Sequence, residues 1–116
     1  MPQRSVRSII ANQTLLTASP ETTVTEAAGL MKLGKVGALM VVEGGRLAGI
    51  FTERDALFRV IAEGRDPHAT RLAEVMTCDC QTIAPDKPLG HALHMMYEGG
   101  FRHVPVVENG TPLGMV

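Results

Sequence analysis

The sequence predicts a mixed α/β (α+β) fold made of two tandem copies of one β-α-β-β-α unit. Two observations predict it. Shifting the chain by 65 residues aligns residues 19–51 with 84–116 without a gap, and nine of those 33 positions are identical. A fixed period of this kind marks repetition of one supersecondary unit. Within each copy the apolar positions pass from helical to strand spacing in the same order.

The identical pairs are Pro20/Pro85, Ala27/Ala92, Met31/Met96, Gly34/Gly99, Val41/Val106, Val42/Val107, Glu43/Glu108, Gly45/Gly110 and Gly49/Gly114. After each proline, Val24, Ala27, Ala28 and Met31, and likewise Leu89, Ala92, Leu93 and Met96, fall at i, i+3, i+4 and i+7. Each set makes one apolar helical stripe that should face a sheet. Gly34 and Gly99 are the expected stops, where a residue tolerant of positive φ can close the last turn. The β-prone runs at residues 38–42 and 103–107 end in Glu43-Gly44-Gly45 and Glu108-Asn109-Gly110, which read as hairpin turns. The return strands are expected from Leu47 to Phe51 and from Pro112 to the chain end.

Only the first copy shows its second helix, about Glu53 to Glu63, with Ala56, Leu57, Val60 and Ile61 at helical spacing and Gly64 as the stop. Residues 65–68 form the linker. Thr70 is the expected cap of a short helix through Met76, and Val6 to Ile10 is its counterpart before the first copy, offset by 66 rather than 65. The expected division is residues 1–66 for the first repeat with its lead-in, and 67–116 for the linker and a second repeat that stops at its last strand. The length of 116 residues suggests one compact module around one shared core.

Composition narrows the function classes. A net charge of −1 provides no positive field for a polyanion, and 3% aromatic residues provide no stacking platform for single strands, so a nucleic-acid partner is not expected. No apolar run approaches membrane-spanning length and the first eight residues are polar, which reads as a cytoplasmic chain with no membrane association. Cys78 and Cys80 are one residue apart, too close for a relaxed mutual disulfide and unlike a zinc knuckle, and read as reduced thiols. No nucleophile and base, paired carboxylates or phosphate loop is recognisable, so an enzyme is not expected. His91 and His94 are three apart and could share a helix face; with no carboxylate seen beside them, a solvent-facing or dimer-facing role is expected rather than a metal site.

The run Gly49-Ile50-Phe51-Thr52-Glu53-Arg54-Asp55, with the lead-in at 72–77, Thr-Ile-Ala-Pro at 82–85 and Phe-Arg-His-Val-Pro-Val-Val at 101–107, resembles a CBS domain pair, or Bateman module, over nearly the whole chain. The resemblance implies two repeats packed through their sheets with pseudo-two-fold symmetry. It also implies clefts between them that hold adenosine-containing ligands such as AMP, ADP, ATP or S-adenosylmethionine. Carried over by position, Thr52 and Asp55 would meet Cys80, Arg102 and His103 in one such cleft. No cofactor would be required; an adenine nucleotide would be the regulatory ligand, with a homodimer and a regulated protein as further partners.

The residue chemistry suits these assignments. A carboxylate can accept two hydrogen bonds from a ribose diol, an arginine fork matches phosphate, and a histidine can add a hydrogen bond or a charge. The second cleft departs from the family pattern. Gly37 and Ala38 stand where Arg102 and His103 stand in the other copy, and no Thr-x-x-Asp follows Val116. At most one nucleotide site per chain is therefore expected, with either a longer native chain or a partner covering the end of the second repeat. Thr52-x-x-Asp55 also reads as a helix cap, which can coexist with ligand contact, and Cys80 reads either as a pocket wall or as a buried strand residue.

Overall fold

The structure, a computed structural model, describes residues 4–116; the first three residues of the expected lead-in lie outside it. The elements follow in the order α1 (Val6–Ile10), β1 (Thr17–Ala18), α2 (Val24–Gly34), β2 (Ala38–Glu43), β3 (Arg46–Thr52), α3 (Glu53–Asp55) running on into a π-helical stretch (Ala56–Ile61), α4 (Leu72–Val75), α5 (Leu89–Gly99), β4 (Pro105–Glu108) and β5 (Thr111–Met115). The chain divides into two compact units, one of residues 16–80 and one of residues 4–15 with 81–116. Each unit has its own apolar cluster, where chain length alone suggested a single shared one. Leu39, Val41, Phe51, Val60 and Leu72 lie at the centre of the first, and Val6, Ile83, Ala92, Val104 and Val106 at the centre of the second.

The repeat is visible in the hydrogen-bond register. β2 pairs antiparallel with β3 so that Val41 faces Gly49, and β4 pairs with β5 so that Val106 faces Gly114. A bulge follows at the same place in both, between Val41 and Val42 and between Val106 and Val107. The turns match as well: Gly44 and Gly45 have φ of 59° and 78°, and Asn109 and Gly110 have φ of 53° and 82°. Two consecutive positive φ values are what a tight hairpin twisted like its strands demands. β1 adds a parallel strand to the first hairpin; its counterpart in the second unit is the single parallel bridge from Ile83 to Val106.

The two lead-ins serve the copies in exchanged order. The Thr70 carbonyl accepts the Val24 N–H at the start of α2, and the Arg4 carbonyl accepts the Leu89 N–H at the start of α5, at 2.9 and 2.8 Å. Each lead-in then docks on the return strand of that unit. In the first unit the backbone of Thr77 exchanges two hydrogen bonds with Ile50, at 2.8 and 2.9 Å. In the second, the repeat-equivalent residue Met115 gives its N–H to Gln13 Oε1 at 2.8 Å and its carbonyl accepts from Gln13 Nε2. A side-chain amide thus takes the place of a peptide group.

Three local expectations are corrected. The left-handed residue ending α2 is Lys35, with φ of 54°, and the one ending α5 is Gly100, so each helix continues through the glycine expected to stop it. Thr70 does not cap α4; the Glu74 carboxylate accepts the Arg71 N–H at 2.8 Å instead. The second helix of the first copy is α-helical only to Asp55, after which bonds such as Ala62 N–H to Leu57 carbonyl span five residues. This wider turn leaves Leu57 and Ile61 exposed, while Val60 is buried. Leu93, expected on the stripe of α5, is also exposed.

The helix caps differ between copies. At the start of α2, Thr23 Oγ1 accepts the Glu26 N–H and Glu26 Oε1 accepts the Thr23 N–H, a reciprocal cap that holds the Glu26 carboxyl below the usual carboxylate range. Its contribution is present at neutral pH and is lost as the pH falls through the lowered Glu26 pKa. Pro88 and His91 replace this pair in the second copy, where no side chain caps the helix.

A methyl group at Gly49 would meet the Thr77 carbonyl oxygen at 2.6 Å, whereas one at Gly29, within α2, meets nothing within 4 Å. Gly49→Ala should therefore cost about 1–3 kcal/mol through overpacking. Gly29→Ala should add about 0.8–1 kcal/mol of helix propensity. Urea unfolding of the two variants checks both signs.

Candidate functional site

Asp55 is the buried carboxylate on which the local polar structure converges, with only 7% of its surface exposed. β3 ends at Thr52, and the chain turns there into α3. Thr52 Oγ1 accepts the Asp55 N–H at 3.1 Å, and Asp55 Oδ2 accepts the Thr52 N–H at 3.0 Å and its hydroxyl at 3.1 Å. The expected cap is therefore formed. One turn on, Arg59 Nε lies 3.5 Å from Asp55 Oδ1, and its Nη1 donates to the Met76 carbonyl at 3.0 Å. The Thr77 hydroxyl donates to Asp55 Oδ1 at 3.1 Å.

Sequence reasoning missed Arg59 and Thr77 as partners of Asp55. Arg59 was readable, because residues four apart share a helix face. Thr77 is 22 residues from Asp55 and reaches it only because its segment is bonded to Ile50 on β3. No local pattern announces such a contact.

Of the expected ligand contacts, Thr52 and Asp55 are brought together. Cys80 ends the same unit, half-exposed and outside any strand, so it is not the buried strand residue considered above. Burial pushes its thiol up, which keeps it protonated and a poor nucleophile near neutral pH. Cys78 is exposed, and both thiols are free. Arg102 and His103 belong to the second unit and precede β4, which begins only at Pro105; Arg102 is exposed and His103 half-exposed. His91 and His94 are exposed on α5. A carboxylate does stand at helical spacing, since His94 Nε2 is 3.7 Å from Glu98 Oε1, but no group of three metal-ligating side chains occurs among the described residues.

A separate groove of about 520 Å³ lies in the first unit between α2 and the π-helical stretch. Met31, Phe51 and Leu57 contribute apolar walls, and Lys32, Lys35 and Glu53 add charge. Neither Thr52 nor Asp55 lines it. This groove and the buried carboxylate are therefore different places.

The family model of the CBS domain matches residues 6–62 and 72–116. The chain belongs to the CBS domain family. The CBS domain-containing protein YhcV of Bacillus subtilis is 38% identical over 112 residues, covering 97% of this chain and 79% of its own length. Other curated relatives are longer, with this CBS pair spanning 54% of one and 19% of another. Among solved structures, a protein with CBS domains from Burkholderia ambifaria shares 32% identity at a TM-score of 0.89, covering 97% of this chain and 87% of that one. The CBS domain pair of protein MJ0100, in complex with 5′-methylthioadenosine and S-adenosyl-L-methionine, shares 26% identity at a TM-score of 0.88, covering 99% of this chain and 90% of that one. The expected tandem CBS fold is thereby established, and no catalytic family is indicated. No helix among the described residues is long and apolar enough to cross a membrane.

Removing the carboxylate would strand the Thr52 N–H and the Thr77 hydroxyl and take the counter-ion from Arg59. Asp55→Ala should cost about 2–4 kcal/mol, the scale of a buried charged hub losing several bonds. Thr52→Ala should cost about 1 kcal/mol, the scale of one lost cap. Thr52→Ser, which retains the hydroxyl, should stay close to the parent protein in the same denaturation series.

Proposed function

We propose that this CBS pair is a non-catalytic regulatory sensor for an adenosine-containing ligand of the AMP, ADP or ATP class. In this reading Asp55 binds the ribose, Thr52 helps hold ribose or phosphate, Arg102 and His103 act on the phosphate, and Cys80 contributes to the pocket wall. The observation that carries it is the hydrogen-bond chemistry of Asp55. Its oxygens already accept hydroxyl hydrogens from two threonines, the donor type that a ribose diol presents. The adenosine compounds held by the CBS pair of MJ0100 support the same ligand class.

Sensing requires that the ligand prefer one arrangement of the protein over another, because only differential affinity shifts an equilibrium. The readout would be a regulated protein partner in the cytoplasm. A second reading, dimerisation without a nucleotide, is favoured by a different observation. Leu33, Leu57, Phe58 and Ile61 are exposed on the helices of the first unit, and Leu93 and Tyr97 on α5. Apolar side chains grouped on helices invite a second copy.

Thermal melting with AMP, ADP, ATP, NAD and S-adenosylmethionine separates the readings. A ligand at one hundred times its dissociation constant should add about 2.7 kcal/mol of stability. Arg102→Ala should leave the ligand-free melting temperature unchanged, since Arg102 is exposed and has no ion pair among the described residues. It should weaken AMP about tenfold or more, the scale of a charge-assisted bond. No shift with any nucleotide would leave the dimerisation reading, to be checked by sedimentation.

A further inference from the structure

The Asp55 carboxylate has more claims on it than a helix cap needs. The cap uses Oδ2, through the Thr52 N–H and hydroxyl. The Thr77 hydroxyl lies 3.1 Å from Oδ1 and 3.4 Å from Oδ2, so it reaches both oxygens, and Arg59 Nε approaches Oδ1 as well. Only 7% of Asp55 is exposed, which leaves little carboxylate surface open to an incoming donor. The Thr52 cap fills Oδ2 with two donors, so a diol that binds Asp55 through two hydroxyls while the cap stays in place must take the Oδ1 site to which Thr77 donates. Thr77 in turn stands on the segment that runs from α4 toward the second repeat. The same segment is tied to β3 by the Ile50 bridge and to the π-helical stretch by Arg59 at the carbonyls of Val75 and Met76.

Resting on the sensing reading above, we propose that Thr77 is a built-in competitor for the ligand at Asp55. Its hydroxyl holds the carboxylate in the ligand-free protein, and a ribose diol displaces it. Binding thereby releases one of the ties that hold segment 75–77 against β3 and the π-helical stretch. The free energy of breaking the Thr77 contact lowers apparent affinity by the fraction of molecules in which Asp55 is unoccupied. Release of the segment gives ligand binding a mechanical consequence inside the first unit. The Gly49 position fits this role, because the absence of a side chain there lets the Thr77 carbonyl approach closely while only main-chain bonds hold it.

The test is calorimetric titration of the full chain with AMP, using the parent protein, Thr77→Val and Thr77→Ser. Valine keeps the shape and removes the hydroxyl. The expected result is binding about three- to tenfold tighter in Thr77→Val, the scale of one net hydrogen bond, and near-parental binding in Thr77→Ser. Binding by Thr77→Val alone would also support competition. Parental binding that Thr77→Val leaves unchanged or weakens would overturn the competitor role while sparing the sensing reading. No binding by any of the three proteins would overturn both. Amide hydrogen exchange on the parent protein provides a second measurement that does not depend on a variant folding. AMP should raise exchange at the Thr77 N–H several-fold, and slowed exchange there would overturn the proposal.

Discussion

A single carboxylate joins the end of β3 and the helix that follows it to a segment 22 residues further along the chain. Asp55 closes the turn from β3 into its helix through Thr52, fixes Arg59 one turn later, and holds Thr77 on the segment beyond α4. A group this deeply buried is tolerable only with its hydrogen bonds made, and here protein donors supply them. The same burial makes it a candidate for recognition, since a ligand donor that replaces one of these partners does so in a site shielded from water. Cap and receptor are two uses of one geometry.

The two hairpins show how strictly the repeat is kept where the backbone requires it. The facing pairs Val41/Gly49 and Val106/Gly114, the bulges after the two valines, and the paired positive-φ turn residues recur at one spacing. Both glycines stand where another part of the same unit comes too close for a side chain: the Thr77 carbonyl at Gly49, and Gln13 with Ile10 at Gly114. Outside these constraints the copies have drifted. One docks its return strand on a peptide group and the other on the Gln13 amide.

Strands, turns and three of the four stripe positions of α2 were legible because each is written in neighbouring residues whose spacing has one physical meaning; the fourth, Ala28, is exposed. The π-helical stretch was not, because Ala56, Leu57, Val60 and Ile61 satisfy an α-helical pattern equally well, and the choice between four- and five-residue bonds is made by packing. Lys35 in the left-handed region was hidden by Gly34 beside it, the easier residue for that conformation. The exchange of lead-ins was hidden for another reason. Sequence order associates Val6–Ile10 with the repeat that follows it at once, whereas the Arg4 carbonyl meets Leu89. At the candidate site, Thr52 and Asp55 could be read from a local motif, while Thr77 could be found only after strand pairing was known.

Ligand recognition at Asp55 is tested by a nuclear magnetic resonance titration of backbone amides with AMP. Saturable shifts are expected at Thr52, Asp55 and Thr77 together with Arg102 and His103. Shifts confined to the groove residues Lys32, Lys35 and Leu57, or none at saturating AMP, would contradict it.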